Sequence, residues 1–171
     1  MSERTTPAGR TWQGPSPQQR LAILRRARSV ALVGASDNPA RASYFVATYL
    51  LSSSSYTVYL VNPRIDEVLG QPVYDRLADL PETPDVVVAF RRHEDLPSVL
   101  DDAVAVGAGT LWLQLGLWHE GVARDAEAAG LSLVMDRCIK IEHARFAGGL
   151  HLAGFDTGVI DSHRARRSEA L

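Results

Sequence analysis

Arginine side chains recur just after short apolar runs of the chain. Arg64, Arg91 and Arg92 each follow such a run, and Arg41 follows a small-residue turn that begins at Gly34. Guanidinium groups hydrogen-bond to phosphate oxygens, and a glycine turn before a helix brings backbone N–H groups close to an anion. These residue types at these places indicate a ligand that carries phosphate groups.

The glycine turn lies in the stretch Ser29–Pro39, which reads SVALVGASDNP. Its apolar residues predict a strand buried on both faces, and a helix is expected to start near Ser43. In such a strand–turn–helix unit, backbone and hydroxyl donors approach a pyrophosphate while the helix dipole favours the negative charge. The turn residues expected to contact the ligand are Gly34, Ala35, Ser36 and Asp37.

The second apolar run ends in Asn62-Pro63-Arg64. NAD sites usually have Asp or Glu at this point, because a carboxylate accepts hydrogen bonds from the ribose hydroxyls. Arginine instead suits a phosphate on the adenosine ribose, which leaves NADP or coenzyme A as ligands. The first turn has only the first glycine of the G-x-G-x-x-G pattern, and little chain remains for the substrate domain of a nicotinamide enzyme.

Five apolar runs alternate with helical segments. This alternation predicts an α/β fold, namely a Rossmann-like, doubly wound and mainly parallel five-stranded sheet in a three-layer αβα arrangement. Ligands bind such sheets outside the carboxyl ends of the strands, where the strand order switches. The predicted strands are Val30–Val33, Tyr56–Val61, Asp85–Phe90, Thr110–Leu115 and Leu131–Met135. One predicted helix begins at Pro17, and three further helices are predicted over Tyr44–Leu51, Glu94–Val106 and His119–Ala129.

Composition restricts the classes of partner and the compartment. The formal net charge of −2 gives no general affinity for nucleic acid or membrane, and no apolar run approaches the length of a membrane span. A single cysteine and a polar N-terminus without a signal sequence predict a cytoplasmic protein.

We expect a domain over residues 17–145, preceded by a flexible lead-in over 1–16 that Trp12 pins to the body. Residues 146–171 are expected to form a C-terminal extension that is partly disordered.

The sequence offers no catalytic constellation. Its five histidines are not spaced for a Ser-His-Asp triad or a metal site, and His93 and His119 lie near predicted helix starts, where a polar residue is routine. Cys138 follows the fifth strand beside Arg137, and a neighbouring cation would lower its pKa and make it reactive. The alternative interpretation of Cys138 is a small packing residue.

Several stretches of the chain match a known family in order. They are VGASDNPARAS at 33–43, VYLVNPR at 58–64, VVVAFRR at 86–92, LWLQLG at 111–116 and MDRCIKIEHAR at 135–145. On these motifs the chain resembles the small stand-alone CoA-binding proteins, whose Rossmann domain is related to the N-terminal domain of the succinyl-CoA synthetase α subunit. The family often has Arg-Pro-Ser where this chain has Arg41-Ala42-Ser43, and Pro-Val-Asn-Pro where it has Leu60-Val61-Asn62-Pro63.

The resemblance implies that the chain binds coenzyme A, or an acyl-CoA, without catalytic machinery of its own. One alternative is an NADP- or nucleotide-dependent enzyme completed by a partner subunit, and another is a regulatory or scaffold module that senses acyl-CoA. No particular protein partner is indicated. Beside the turn residues above, the expected ligand contacts are Arg41, Ser43, Asn62, Pro63, Arg64, Phe90, Arg91, Arg92, Gln114 and Cys138.

Overall fold

A computed structural model describes residues 9–147 of the chain. It contains seven strands and five α-helices, which alternate except over residues 57–89, where four strands follow one another with no α-helix between them. The strands are β1 Ser29–Val33, β2 Thr57–Val61, β3 Glu67–Val68, β4 Gln71–Tyr74, β5 Val86–Ala89, β6 Thr110–Leu113 and β7 Ser132–Val134. The helices are α1 Pro17–Arg26, α2 Ala42–Ser53, α3 Leu96–Val106, α4 Glu120–Ala128 and α5 Ile139–Ala147.

The strands form one sheet with the order β3-β4-β2-β1-β5-β6-β7. Neighbouring strands pair in parallel throughout the sheet, except β3 and β4, which are antiparallel. The order reverses at β1, which lies between β2 and β5. The predicted fold class is therefore confirmed, and the topological switch point lies at the end of the strand that carries the glycine turn.

The expected count of five strands was wrong, because β3 and β4 form an additional hairpin at one edge. Leu69 and Gly70 connect these strands, and both have positive φ angles, 53° and 71°. A two-residue hairpin turn of this kind is usually signalled by Asn-Gly or Asp-Gly. Neither sequence is present, and Pro72 lies inside the short strand β4, so the pattern of the hairpin was not recognisable.

Alternate residues of the buried strands face two separate apolar layers. Val30 and Leu32 of β1 belong to the layer that also holds buried residues of α1, α2 and α5. Ala31 and Val33 belong to the layer with buried residues of α3 and α4. All five residues of β1 are buried, which explains why this run is apolar with almost no interruption.

Two helices differ in how well the sequence predicted them. Helix α1 begins as expected, with Ser16 as its N-cap, Pro17 in the first turn, and a capping box completed by Gln19. Helix α5 was not predicted, and it ends at Ala147, two residues beyond the predicted end of the domain at residue 145. Its first N–H group, at Ile139, donates to Oε1 of Gln114, and this buried contact joins the helix to the end of β6.

The segment before α1 contacts the body of the domain through Trp12, as expected. Its ring meets the ring of Trp118 edge-on, with centroids 5.4 Å apart, and packs against the apolar layer of α3 and α4. The flexible lead-in over residues 1–16 and the partly disordered extension over 146–171 stay predictions, since most of both segments, residues 1–8 and 148–171, lies outside the described residues. Among the helices of residues 9–147, none is long and apolar enough to span a bilayer.

Candidate functional site

A cavity of about 640 Å³ opens at the carboxyl ends of the central strands. It lies at the switch point, because its walls come from the segments that follow β1, β2, β5 and β6. The predicted contacts that line it are Gly34, Ala35, Ser36, Arg41, Ser43, Asn62, Arg64, Phe90, Arg91, Arg92 and Gln114. Asp37, Pro63 and Cys138 do not line the cavity, although Asp37 and Pro63 are next in sequence to residues that do.

Gly34 allows the end of β1 to lie very close to the end of β5. Its φ angle is +94°, and a Cβ atom at this position would collide with the carbonyl oxygen of Phe90. The N–H group of Phe90 donates to the carbonyl of Val33 at 2.8 Å. Both the backbone angle and the close approach therefore require glycine here.

The N–H groups of Gly34 and Ala35 both donate to the carbonyl oxygen of Val61, at 2.9 and 3.2 Å. They extend the pairing of β1 and β2 past the strand ends. The expectation that these two N–H groups donate to a pyrophosphate is therefore wrong for this structure, because they are already bonded within the sheet. The two residues form part of the cavity wall, and the donors for an anion must come from further along the chain.

The first turn of α2 supplies such donors. Arg41 is the N-cap residue and makes no side-chain capping bond. In the described part of the chain, the N–H groups of Ala42 and Ser43 form no hydrogen bond with protein, and the same holds for the Ser43 hydroxyl, although Ser43 is only 3% exposed. A helix N-terminus with unsatisfied donors and a positive dipole end favours a bound anion.

Asn62 is bonded to protein through both ends of its amide. Nδ2 donates to the carbonyl of Ala35 at 2.7 Å, and Oδ1 accepts from the N–H group of Arg64 at 2.9 Å. The side chain thus holds the glycine turn against the end of β2 and orients the backbone of Arg64. In this structure, Asn62 acts as a positioning residue.

The cationic side chains around the cavity fall into two groups. Arg92 forms ion pairs with Glu94 and Asp95, at 3.4 and 3.2 Å. Over residues 9–147, no ion pair involves the other three arginines, Arg41, Arg64 and Arg91. Three guanidinium groups that have no carboxylate partner in the described part of the chain thus line one cavity, and their positive charge attracts phosphate.

Gln114 and Cys138 lie next to each other, since Nε2 of Gln114 is 3.8 Å from the Cys138 sulfur. Gln114 is 7% exposed, and its Oε1 accepts from the N–H group of Ile139 at 2.9 Å. The amide therefore joins the ends of β6 and β7 to the start of α5. Cys138 is half-buried and contacts Gln114, but it does not itself line the cavity.

The histidines near the carboxyl edge have structural contacts. The rings of His93 and His119 stack with centroids 4.7 Å apart. Nδ1 of His119 accepts the N–H group of Val122 and so caps α4, and Nε2 of His93 lies 3.0 Å from the carbonyl oxygen of Trp118. Residues 9–147 contain no cluster of three or more side chains suited to hold a metal ion.

Comparison with known families agrees with this geometry. Residues 28–144 match the family model described as "CoA binding domain". The chain belongs to the family of CoA-binding domains. The resemblance to CoA-binding proteins drawn from the sequence motifs is thereby confirmed.

Relatives of this CoA-binding domain occur alone and as part of longer enzymes. "Uncharacterized protein YneT" of Bacillus subtilis (strain 168) is 36% identical over 132 residues, which are 77% of this chain and 97% of YneT. A solved structure of a hypothetical protein from Pyrococcus horikoshii OT3 has a TM-score of 0.74 and 34% identity, covering 85% of this chain and 98% of that one. The ADP-forming acetate–CoA ligase I of Archaeoglobus fulgidus is 27% identical over 130 residues, but these are only 18% of the ligase.

Four lining residues of the CoA-binding domain were not among the ligand contacts expected from sequence, namely Ala42, Asp95, Leu115 and Leu117. Ala42 lies between two predicted contacts, and its helix-terminal position was the available signal. Leu115 and Leu117 belong to the segment after β6, where they resemble ordinary core residues in sequence. Leu115 is nevertheless 68% exposed, so it forms an apolar rim on the cavity rather than part of the core.

Proposed function

We propose that the chain binds coenzyme A in the switch-point cavity. The observation that carries this proposal is the N-terminus of α2, without a side-chain cap, beside three arginines that have no carboxylate partner among residues 9–147. In the proposed pose the pyrophosphate lies at Ala42 and Ser43, with Arg41 as a charged partner. The family membership supports the identity of the ligand, and the geometry supports the place of its phosphates.

The adenosine end is proposed to lie at the end of β2. Asn62, Pro63 and Arg64 supply no carboxylate for the ribose hydroxyls of NAD, whereas Arg64 suits a ribose phosphate. The cavity extends from Arg64 toward the end of β6. The pantetheine arm is therefore proposed to run toward Leu115 and Leu117, whose apolar side chains suit its hydrocarbon portions.

We further propose that the chain is a binding module without a reaction of its own. Within residues 9–147, His93 and His119 are used in stacking and capping, and no nucleophile in the cavity is paired with a base. The ligase activity in the name of the Archaeoglobus fulgidus relative belongs to a protein of which this chain matches 18%.

Isothermal titration with CoA, dephospho-CoA, NADP and NAD tests the proposal. We expect CoA to bind most tightly, and loss of the 3′-phosphate to weaken binding by about tenfold, because a hydrogen-bonded charged group contributes roughly 1.5–3 kcal/mol. Equal affinity for CoA and dephospho-CoA would remove the argument from Arg64. Tightest binding of NADP would instead favour a nucleotide-dependent enzyme that a partner subunit completes.

A second candidate function is an acyl-CoA sensor, which the exposed apolar side chain of Leu115 on the cavity rim favours. Titration with acetyl-CoA and a longer acyl-CoA separates this function from simple CoA binding. Affinity that rises with acyl length would support a sensor, because each buried CH₂ contributes about 0.8 kcal/mol. Equal affinities would support binding of CoA itself.

A further inference from the structure

The segment Arg10–Trp12, here called the N-terminal strap, lies across the start of α4. The N–H group and the hydroxyl of Thr11 donate to the two carboxylate oxygens of Glu120, at 2.8 and 3.1 Å. The N–H group of Trp12 reaches the same carboxylate at 3.4 Å. One side chain thus accepts three hydrogen bonds from a segment more than a hundred residues away in sequence.

Arg10 connects the strap to a second element. Its Nη1 atom lies 2.8 Å from Oδ2 of Asp136, and its guanidinium carbon lies 4.2 Å from the centre of the Trp118 ring. The indole N–H group of Trp118 donates to Glu120 at 3.0 Å. Arg10 and Glu120 therefore both hold Trp118, the first by a cation–π contact and the second by a hydrogen bond.

Asp136 joins Arg10 to the loop between β6 and α4, residues 114–119, here called the β6–α4 loop. Its Oδ1 atom accepts the N–H group of Gly116 at 2.7 Å, and its own N–H group donates to the carbonyl of Leu117 at 3.1 Å. Asp136 has a φ angle of +59°, which is uncommon for a residue other than glycine. The surrounding contacts must therefore stabilise this strained conformation.

Both carboxylates are held in their charged form. Hydrogen bonds from Trp118 and Thr11 lower the pKa of Glu120 to about 2. Burial raises the pKa of Asp136, but hydrogen bonds from the Gly116 N–H group and from Arg10 outweigh it, so the pKa lies below its usual value. The strap is consequently attached by charge-assisted hydrogen bonds at neutral pH.

The β6–α4 loop forms one wall of the cavity, through Leu115 and Leu117 on either side of Gly116. We propose that the N-terminal strap positions this loop and thereby sets the affinity of the cavity for the pantetheine half of CoA. This inference rests on the proposed function, in which the adenosine half lies at the opposite end, near Arg64. Loosening the strap should then weaken binding of the pantetheine arm and leave binding of the nucleotide unchanged.

The test compares CoA with adenosine 3′,5′-bisphosphate, which lacks pantetheine, on the full-length chain. The variants are Arg10→Ala and Glu120→Gln. The control is Arg76→Ala, which breaks an exposed ion pair outside the loop, with 3.0 Å between Nη2 of Arg76 and Oδ1 of Asp79. We expect both strap variants to weaken CoA binding by about three- to tenfold, since each loses charge-assisted hydrogen bonds that are partly exposed. Binding of adenosine 3′,5′-bisphosphate should change less than about twofold, and Arg10→Lys should restore part of the CoA affinity.

Amide hydrogen exchange without ligand tests the positioning directly. The Gly116 N–H group should exchange faster in Arg10→Ala than in the wild-type chain or in Arg76→Ala. Equal losses for both ligands, unchanged CoA affinity, or unchanged exchange at Gly116 would each overturn the proposal. A wild-type chain that binds neither ligand would reject the proposed function, and with it the pantetheine assignment, while the exchange result would still report on the strap.

Discussion

The side-chain amide of Asn62 donates to the carbonyl oxygen of Ala35 at 2.7 Å and so ties together the ends of two neighbouring strands. The same side chain accepts the N–H group of Arg64. A residue selected from sequence as a ligand contact therefore first serves to shape the cavity. Asn62 thus holds the backbone of Arg64 beside the glycine turn, and both residues line the cavity.

Removal of the Arg41 side chain should weaken CoA binding by about tenfold or more, because a hydrogen bond to a charged group contributes roughly 1.5–3 kcal/mol. The matched control is Arg92→Ala, since Arg92 lines the same cavity but is paired with Glu94 and Asp95. Calorimetric titration should show the larger loss for Arg41→Ala. Equal losses in the two variants would mean that the cavity attracts CoA through its total charge alone. Ser36→Ala should have a smaller effect than either, because the N–H donors of α2 remain.

Substitution of Gly34 by alanine should destabilise the fold by several kcal/mol, on the order of 2–4. The new Cβ atom would collide with the Phe90 carbonyl, and a φ angle of +94° is strained for alanine. Urea unfolding measures the loss. Gly130→Ala is the control, because φ is +72° there but a Cβ atom added to Gly130 would have no other atom within 4 Å. Similar losses in both variants would show that the close contact with β5 adds nothing to the cost of the backbone angle.

The ion pair between Arg20 and Glu142 joins α1 to α5, with 2.8 Å between Nε and Oε2 and with both side chains at most 6% exposed. Glu142→Gln should cost about 3–5 kcal/mol because it leaves the buried guanidinium of Arg20 without a carboxylate partner. Arg20→Met should cost less, because Arg137 and Arg145 lie 3.9 and 4.0 Å from Oε1 of Glu142. The double variant Arg20→Met/Glu142→Leu should cost clearly less than the sum of the single losses. Additive losses in urea unfolding would contradict a coupled pair.

His143 should make the protein less stable as the pH falls below about 6.5. Burial lowers the pKa of His143, and its Nδ1 atom lies 2.9 Å from the hydroxyl of Tyr49. The unfolded chain therefore binds a proton at this residue at a higher pH than the folded chain, and the free energy of unfolding decreases through that range. His143→Gln keeps an acceptor for Tyr49 without titrating. Urea unfolding at pH 7 and pH 5 should show a smaller decrease for the variant, and an equal decrease would reject this assignment.

Much of the site followed from local sequence. An apolar run followed by Gly34 indicates a buried strand and a tight turn, because these preferences involve only neighbouring residues. Parallel strands end at one edge of a sheet, so the segments around Gly34, Asn62 and Phe90 were expected to meet there. The structure places all three on the wall of one cavity. The hairpin of β3 and β4 and the helix α5 lacked such local signals and were missed.

The roles of individual polar groups depend on which strands are neighbours and in which register. The sequence does not indicate which acceptor the Gly34 N–H group bonds. The pairing of β1 with β2 directs this N–H group to the carbonyl oxygen of Val61. In the same way, nothing near Glu120 in sequence indicates that its carboxylate holds Thr11. Residue types and their order suffice to predict a phosphate-binding strand edge, because secondary structure is periodic and local. Which donors remain free for the ligand depends on contacts between distant segments, since each hydrogen bond made within the folded chain removes a group from the site.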